Sequence, residues 1–209
     1  MEYTDKQLQI LEVAVNLFAE QGFDGTSVRD IAKAADVNIA MISYYFGSKE
    51  KLMEAIFARH SANVRFQLEN LLHDKEMGPF EKMEKLIDSY LEKYFSQQCF
   101  HKIVVRSQMS NQSNSVKQIL HDMKKQNQEL IKKLIQEGQK KGAFKKNIDV
   151  PLLMATMIGT ANQVMTAQQF YRDVNGLQHL SDTEFDKLMK KKLSQHIKTL
   201  FKAILIYED

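Results

Sequence analysis

The residues best suited to recognition chemistry crowd into one short stretch, Val37 to Phe46. On a helix over roughly NIAMISYY, Val37, Ile42 and Phe46 fall on one side, leaving Asn38, Ile39, Ala40, Met41, Ser43, Tyr44 and Tyr45 around the outside. An uncovered isoleucine, an uncovered methionine and two adjacent tyrosines are poorly placed against water alone, so this outer side is expected to meet a partner. Catalytic chemistry is not set up anywhere in the chain. No phosphate-cradling glycine loop, paired-histidine metal motif or nucleophile elbow occurs. The six histidines are scattered, and Cys99 is the single cysteine, which excludes a disulfide within one chain and any cysteine-cluster metal site. The expectation is therefore a protein that is not an enzyme, with no catalytic residues, no metal and no bound cofactor.

The stretch has to be held in place by its neighbours. Leu8, Leu11, Val15 and Phe18 recur at helical spacing on a first helix that Thr4 can cap with Gln7 reaching back, and Gly22 ends it. Thr26 or Ser27 is placed to cap a short second helix whose Val28, Ile31, Ala32 and Ala35 share a face. Ala34 to Val37 make a tight turn, Asn38 can cap the third helix, and a fourth begins near Ser48. Two short helices joined by a tight turn and backed by a supporting helix form the arrangement that lets one helix enter a DNA major groove. Charge gives this reading no help: residues 1–52 hold five basic and eight acidic side chains, net −3, so any binding to DNA must rest on local geometry.

The rest of the chain reads as further helices. Of 209 residues only two are proline and eight glycine, among many good helix formers. The fold class expected is all-α with about nine helices: a helix-turn-helix domain over 1–52 and a helical domain over 53–209. In the second domain, helices are expected up to Asp74, over about 79–97, 100–109 and 115–141, from Asp149 to about Arg172, and from the capping box Ser181-x-x-Glu184 onward, with SNQSNS at 110–115 as a loop. Neither a leader nor a membrane span is indicated, so a cytoplasmic setting is expected.

The run FDGTSVRDIAKAADVNIAMISYYFGSKEKL at 23–52 resembles the tetracycline-repressor (TetR) family: an aromatic and Thr before the second helix, Ile-Ala within it, a Val after the turn, then Tyr-Phe and Ser-Lys-x-x-Leu. Beyond this run the likeness lies in helix number and length and in the ending GAF at 142–144. The resemblance implies a regulator binding a double-stranded DNA operator, with Ile39, Ala40 and Met41 reading bases. It implies phosphate contacts from Thr26, Asn38, Ser43, Tyr44, Tyr45 and Lys49. Ile39 and Met41 cannot donate hydrogen bonds and are expected to read thymine methyls and DNA shape. Asp36 replaces the usual turn glycine, Asn38 a serine cap, Ala40 a frequent glycine and Ser43 a frequent tyrosine.

The resemblance also implies a homodimer through the last two helices and a small-molecule effector that would tilt the helix beginning near Ser48 and release the DNA. Apolar stripes fit the pairing: Phe185, Met189, Leu193, Ile197, Leu200 and Ile204 on the last helix, and Leu152, Met157, Ile158 and Met165 on the one before. Tyr90, Tyr94, Arg106, Met109, Met157, Asn162 and Phe170 are the effector-contact candidates. An activator of the same family, or a helical adaptor with no sequence-specific DNA binding, would carry similar features.

Overall fold

A computed structural model describes residues 3–109 and 114–207, the side chains of residues 109, 114 and 115 excepted. Among the described residues there is no strand, and ten helices follow one another: α1 (Asp5–Gly25), α2 (Val28–Ala34), α3 (Ile39–Phe46), α4 (Lys49–His73), α5 (Pro79–Ser96), α6 (Gln98–Met109), α7 (Asn114–Lys140), α8 (Val150–Thr166), α9 (Gln168–Asn175) and α10 (Asp182–Leu205). Residues 110–113, most of the expected SNQSNS loop, lie outside the described residues.

The tenth helix comes from a break at Ala167, where one helix was expected to continue to Arg172. Neither glycine nor proline causes it. Thr166 Oγ donates back to the carbonyls of Asn162 (2.8 Å) and Gln163 (3.3 Å), a back-bond that bends helices, and Ala167, its amide still on the Gln163 carbonyl at 3.0 Å, leaves helical geometry at φ −105°.

The chain packs as two compact units, Met1–Phe66 with Gln97–Asn127, and Gln67–Ser96 with Gln128–Asp209. In the first, Ile10, Leu11, Ala14 and Phe18 of α1 pack with Ile31 of α2, Ile42 and Phe46 of α3, Phe57 of α4 and Phe100 of α6. The buried face of α1 is thus centred on Ile10 and Ala14, with Leu8 and Val15 only partly covered. In the second, α10 lies on α5 and α8, and Phe185, Met189, Leu193, Ile197, Phe201 and Leu205 are all buried within one chain. Burying a side chain of that size stabilises by roughly 1.5–3 kcal/mol, so this stripe contributes substantially to the stability of its unit.

Two polar anchors sit inside the second unit. Lys82, 1% exposed, places Nζ 3.1 Å from both carboxylate oxygens of Glu137. Arg172 lies over the Phe185 ring at 4.1 Å and donates to the Leu180 carbonyl (2.6 Å) and to Asp182 (2.8 Å), tying α9 to the start of α10.

Gly138 marks the tightest approach. A methyl group there would fall 2.1 Å from Cδ2 of the Phe144 ring, while the Gly138 carbonyl already accepts from the Ala143 and Phe144 amides at 2.9 and 3.2 Å. The ring is buried and has nowhere to go. Gly138→Ala should cost about 1–3 kcal/mol, read as a lower midpoint in thermal unfolding; an unchanged midpoint would show that the ring yields freely.

Candidate nucleic-acid interface

Local chemistry builds α3 and sets its outer side. Ser27 and Asp30 form a capping box that starts α2: the Ser27 hydroxyl accepts from the Asp30 amide (3.1 Å) and Asp30 accepts from the Ser27 amide (2.9 Å). The turn closes with Asp36 at φ 48° and the Val37 amide on the Ala32 carbonyl (3.0 Å); aspartate tolerates this left-handed geometry better than most residues. Asn38 Oδ1 then accepts from the Ala40 amide (2.9 Å), starting α3, and Gly47 at φ 80° ends it.

Ile42 and Phe46 are buried, which leaves Asn38, Ile39, Ala40, Ser43 and Tyr44 exposed on an outer side with no charged residue. Tyr44 is 84% exposed and Ile39 43%. Met41 is half-buried, and so is Tyr45, which packs against the core and meets the Tyr44 ring edge-on at 5.2 Å. Seven of the nine expected contact residues therefore come together on α3 and its cap.

The other two do not join them. Thr26 is fully buried, and its hydroxyl donates inward to the carbonyls of Gly22 (2.8 Å) and Leu17 (3.3 Å). The cap of α2 is Ser27. Lys49 also turns inward: Nζ donates to the carbonyls of Phe23 (2.8 Å) and Thr26 (3.0 Å) and lies 4.2 Å above the Phe23 ring. A lysine in the first turn of a helix opposes the helix dipole, and the carbonyls at the end of α1 are what compensate it here. The Asp30 carboxylate, held below its usual range by the Ser27 hydroxyl and amide, already occupies the start of α2, where a phosphate would meet its charge. On α2 and the first turn of α4, Arg29, Lys33 and Lys51 point outward, residues that sequence reasoning counted but did not place.

The effector candidates divide in a similar way. Tyr94 donates to Asn162 Oδ1 at 2.8 Å, Tyr90 lies 5.9 Å from Tyr94 ring to ring, and Met157 is buried in the same unit. Burial pushes the Tyr94 hydroxyl up to about 12 and raises Tyr90 as well, so both stay protonated. Phe170 does not join this group; on α9 it is 67% exposed. Nor does Arg106, which belongs to the first unit, where Nη1 donates to the Glu20 carbonyl (2.9 Å). The Met109 side chain lies outside the described residues. Sequence reasoning missed Ser61, Ser107 and Asn127, whose buried Ser61 Oγ, Ser107 Oγ and Asn127 Oδ1 have no hydrogen-bond partner among the described residues. Each stands four residues after an apolar position, Phe57, Ile103 and Met123, a register that could have marked them. Among the described residues no group of His, Cys, Asp or Glu is placed to hold a metal, and no helix is long and apolar enough to cross a membrane.

The first unit thus defines a helix-turn-helix protein. Residues 10–56 match the model of bacterial regulatory proteins of the tetR family, and residues 67–191 match that of the C-terminal region of YsiA-like proteins. Over 137 residues the chain is 32% identical to the "Probable HTH-type transcriptional regulator YttP" of Bacillus subtilis (strain 168), covering 65% of this chain and 66% of that protein. Among solved structures it is similar to Escherichia coli NemR in its reduced form (TM-score 0.73, 18% identity, 98% and 99% of the two chains). It is also similar to FadR from Bacillus subtilis in complex with stearoyl-CoA (TM-score 0.66, 22% identity, 92% and 97%). The chain belongs to the TetR family of bacterial regulatory proteins.

Proposed function

We propose that the chain is a cytoplasmic, homodimeric, DNA-binding repressor without enzymatic activity, released from a palindromic operator by a small-molecule effector. The observation that carries this reading is the outer side of α3: an uncharged, capped, rigidly backed surface whose largest member, Tyr44, is 84% exposed. Ile39, Ala40 and Met41 would read base edges and methyls in the major groove, with Asn38, Ser43, Tyr44 and Tyr45 on flanking phosphates. Arg29, Lys33 and Lys51 would supply the positive charge that Lys49 does not.

Pairing would run through α8, α9 and α10. The buried stripe of α10 is spent inside the chain, but Leu152, Ile158, Phe170, Val174 and Ile204 remain exposed on those helices and would supply the contact. Two copies would set their α3 helices about 34–36 Å apart, one turn of B-form DNA. The Tyr90, Tyr94, Met157 and Asn162 group supports an effector with an apolar portion and one polar contact there, and FadR in complex with stearoyl-CoA suggests the first probe, whose acyl chain would supply that portion. A coupling of about 1–3 kcal/mol between effector and DNA would suffice, carried by two dimer geometries that differ in the tilt of α4.

Selection of duplexes from a random-sequence pool tests the reading. The expected product is an inverted repeat bound in the nanomolar range, and stearoyl-CoA is expected to lower that affinity. If no sequence is enriched over the starting pool, the chain is not a sequence-specific DNA-binding protein. Enrichment with no response to stearoyl-CoA would reject that effector alone.

A further inference from the structure

Three side chains that sequence reasoning sent elsewhere converge on one place, the broken end of α1. Gly22 leaves helical geometry at φ 80° and ψ 167°, so the carbonyls around the break lose the amide donors a continuous helix would provide. The Thr26 amide still reaches the Phe23 carbonyl at 3.4 Å, and the other donors are side chains. Thr26 Oγ serves the Leu17 and Gly22 carbonyls, Arg106 Nη1 the Glu20 carbonyl at 2.9 Å, and Lys49 Nζ the Phe23 and Thr26 carbonyls at 2.8 and 3.0 Å.

The donors come from different helices. Thr26 leads into α2, Lys49 opens α4 and Arg106 lies in the last turn of α6. Thr26 and Lys49 are close in sequence to the helix-turn-helix, but Arg106 reaches Glu20 across 86 residues. Arg106 is also exposed on the unit's surface, so its guanidinium contributes little to the apolar core.

We infer that Arg106 is a positioning residue for DNA recognition: through the Glu20 carbonyl it sets the seat of the α1 end from which α2 and α3 depart. The inference rests on the DNA-binding reading, and the test separates the two. Wild type and Arg106→Met are compared on the duplex that wild type selects from a random pool and on a duplex of unrelated sequence, by fluorescence anisotropy, with urea unfolding run alongside. Non-specific binding depends on charge and needs no fixed register, whereas specific binding needs the α3 helices in register.

The expected result is at least a tenfold loss on the selected duplex for Arg106→Met, beyond any loss on the unrelated one, with Arg106→Lys recovering most of it. Equal changes on both duplexes, or none on either, would overturn the inference while leaving the DNA-binding reading intact. If wild type selects no duplex, the DNA-binding reading itself fails and takes the inference with it. Should Arg106→Met fold poorly, Arg106→Gln makes the same comparison with a shorter, uncharged donor.

Discussion

Lys49→Met should lower the unfolding free energy by about 2–4 kcal/mol, read as a lower urea midpoint at unchanged slope. The lysine gives two charge-assisted hydrogen bonds, to the Phe23 and Thr26 carbonyls, and methionine keeps the length of the stem while donating nothing. The Phe23 carbonyl would keep only the long contact from the Thr26 amide (3.4 Å), and the Thr26 carbonyl would lose its lysine donor. The same substitution separates two roles for this residue. A lysine that served only a DNA phosphate would leave the urea midpoint where it was and flatten the salt dependence of binding by about one unit of slope. The geometry predicts the opposite pattern.

Tyr44→Ala should do the reverse of Lys49→Met. With the ring exposed and contributing little to the core, stability should change by no more than about 0.5 kcal/mol. Affinity for the selected duplex should fall roughly 30-fold, the scale of losing one aromatic anchor worth about 2 kcal/mol at an interface. Fluorescence anisotropy on a labelled duplex measures it, and binding within twofold of wild type would remove Tyr44 from the contact surface.

What was legible in the sequence was whatever neighbours along the chain decide. Thr4 with Gln7 and Ser181 with Glu184 form the expected capping boxes, Asn38 caps α3, and Asp36 takes the left-handed turn position. Each of these contacts spans three residues or fewer, so the local pattern contains all the information. The outer side of α3 was legible for the same reason, since Ile42 and Phe46 fix which way an eight-residue helix faces.

What was not legible depended on partners far along the chain. Lys49 carries the same formal charge whether it meets a phosphate or a carbonyl, and only the fold brings Phe23 and Thr26 to it. Arg106 was counted among the effector-contact candidates, yet its acceptor is a backbone oxygen that no side-chain pattern advertises. Phe170 looked like pocket lining by composition, but the break at Ala167 starts a new helix on which it faces outward.

The apolar stripe of α10 is consumed by α5 and α8 of its own chain, so a lone subunit already owns the core it needs. If that core suffices, folding and pairing would be separable steps, unlike in proteins whose protomers acquire a core only by joining. If copies pair as proposed, a cell holding few of them would keep many as intact singles. Promoter occupancy would then rise with the square of gene dosage, turning a modest change in expression into a sharper change in silencing.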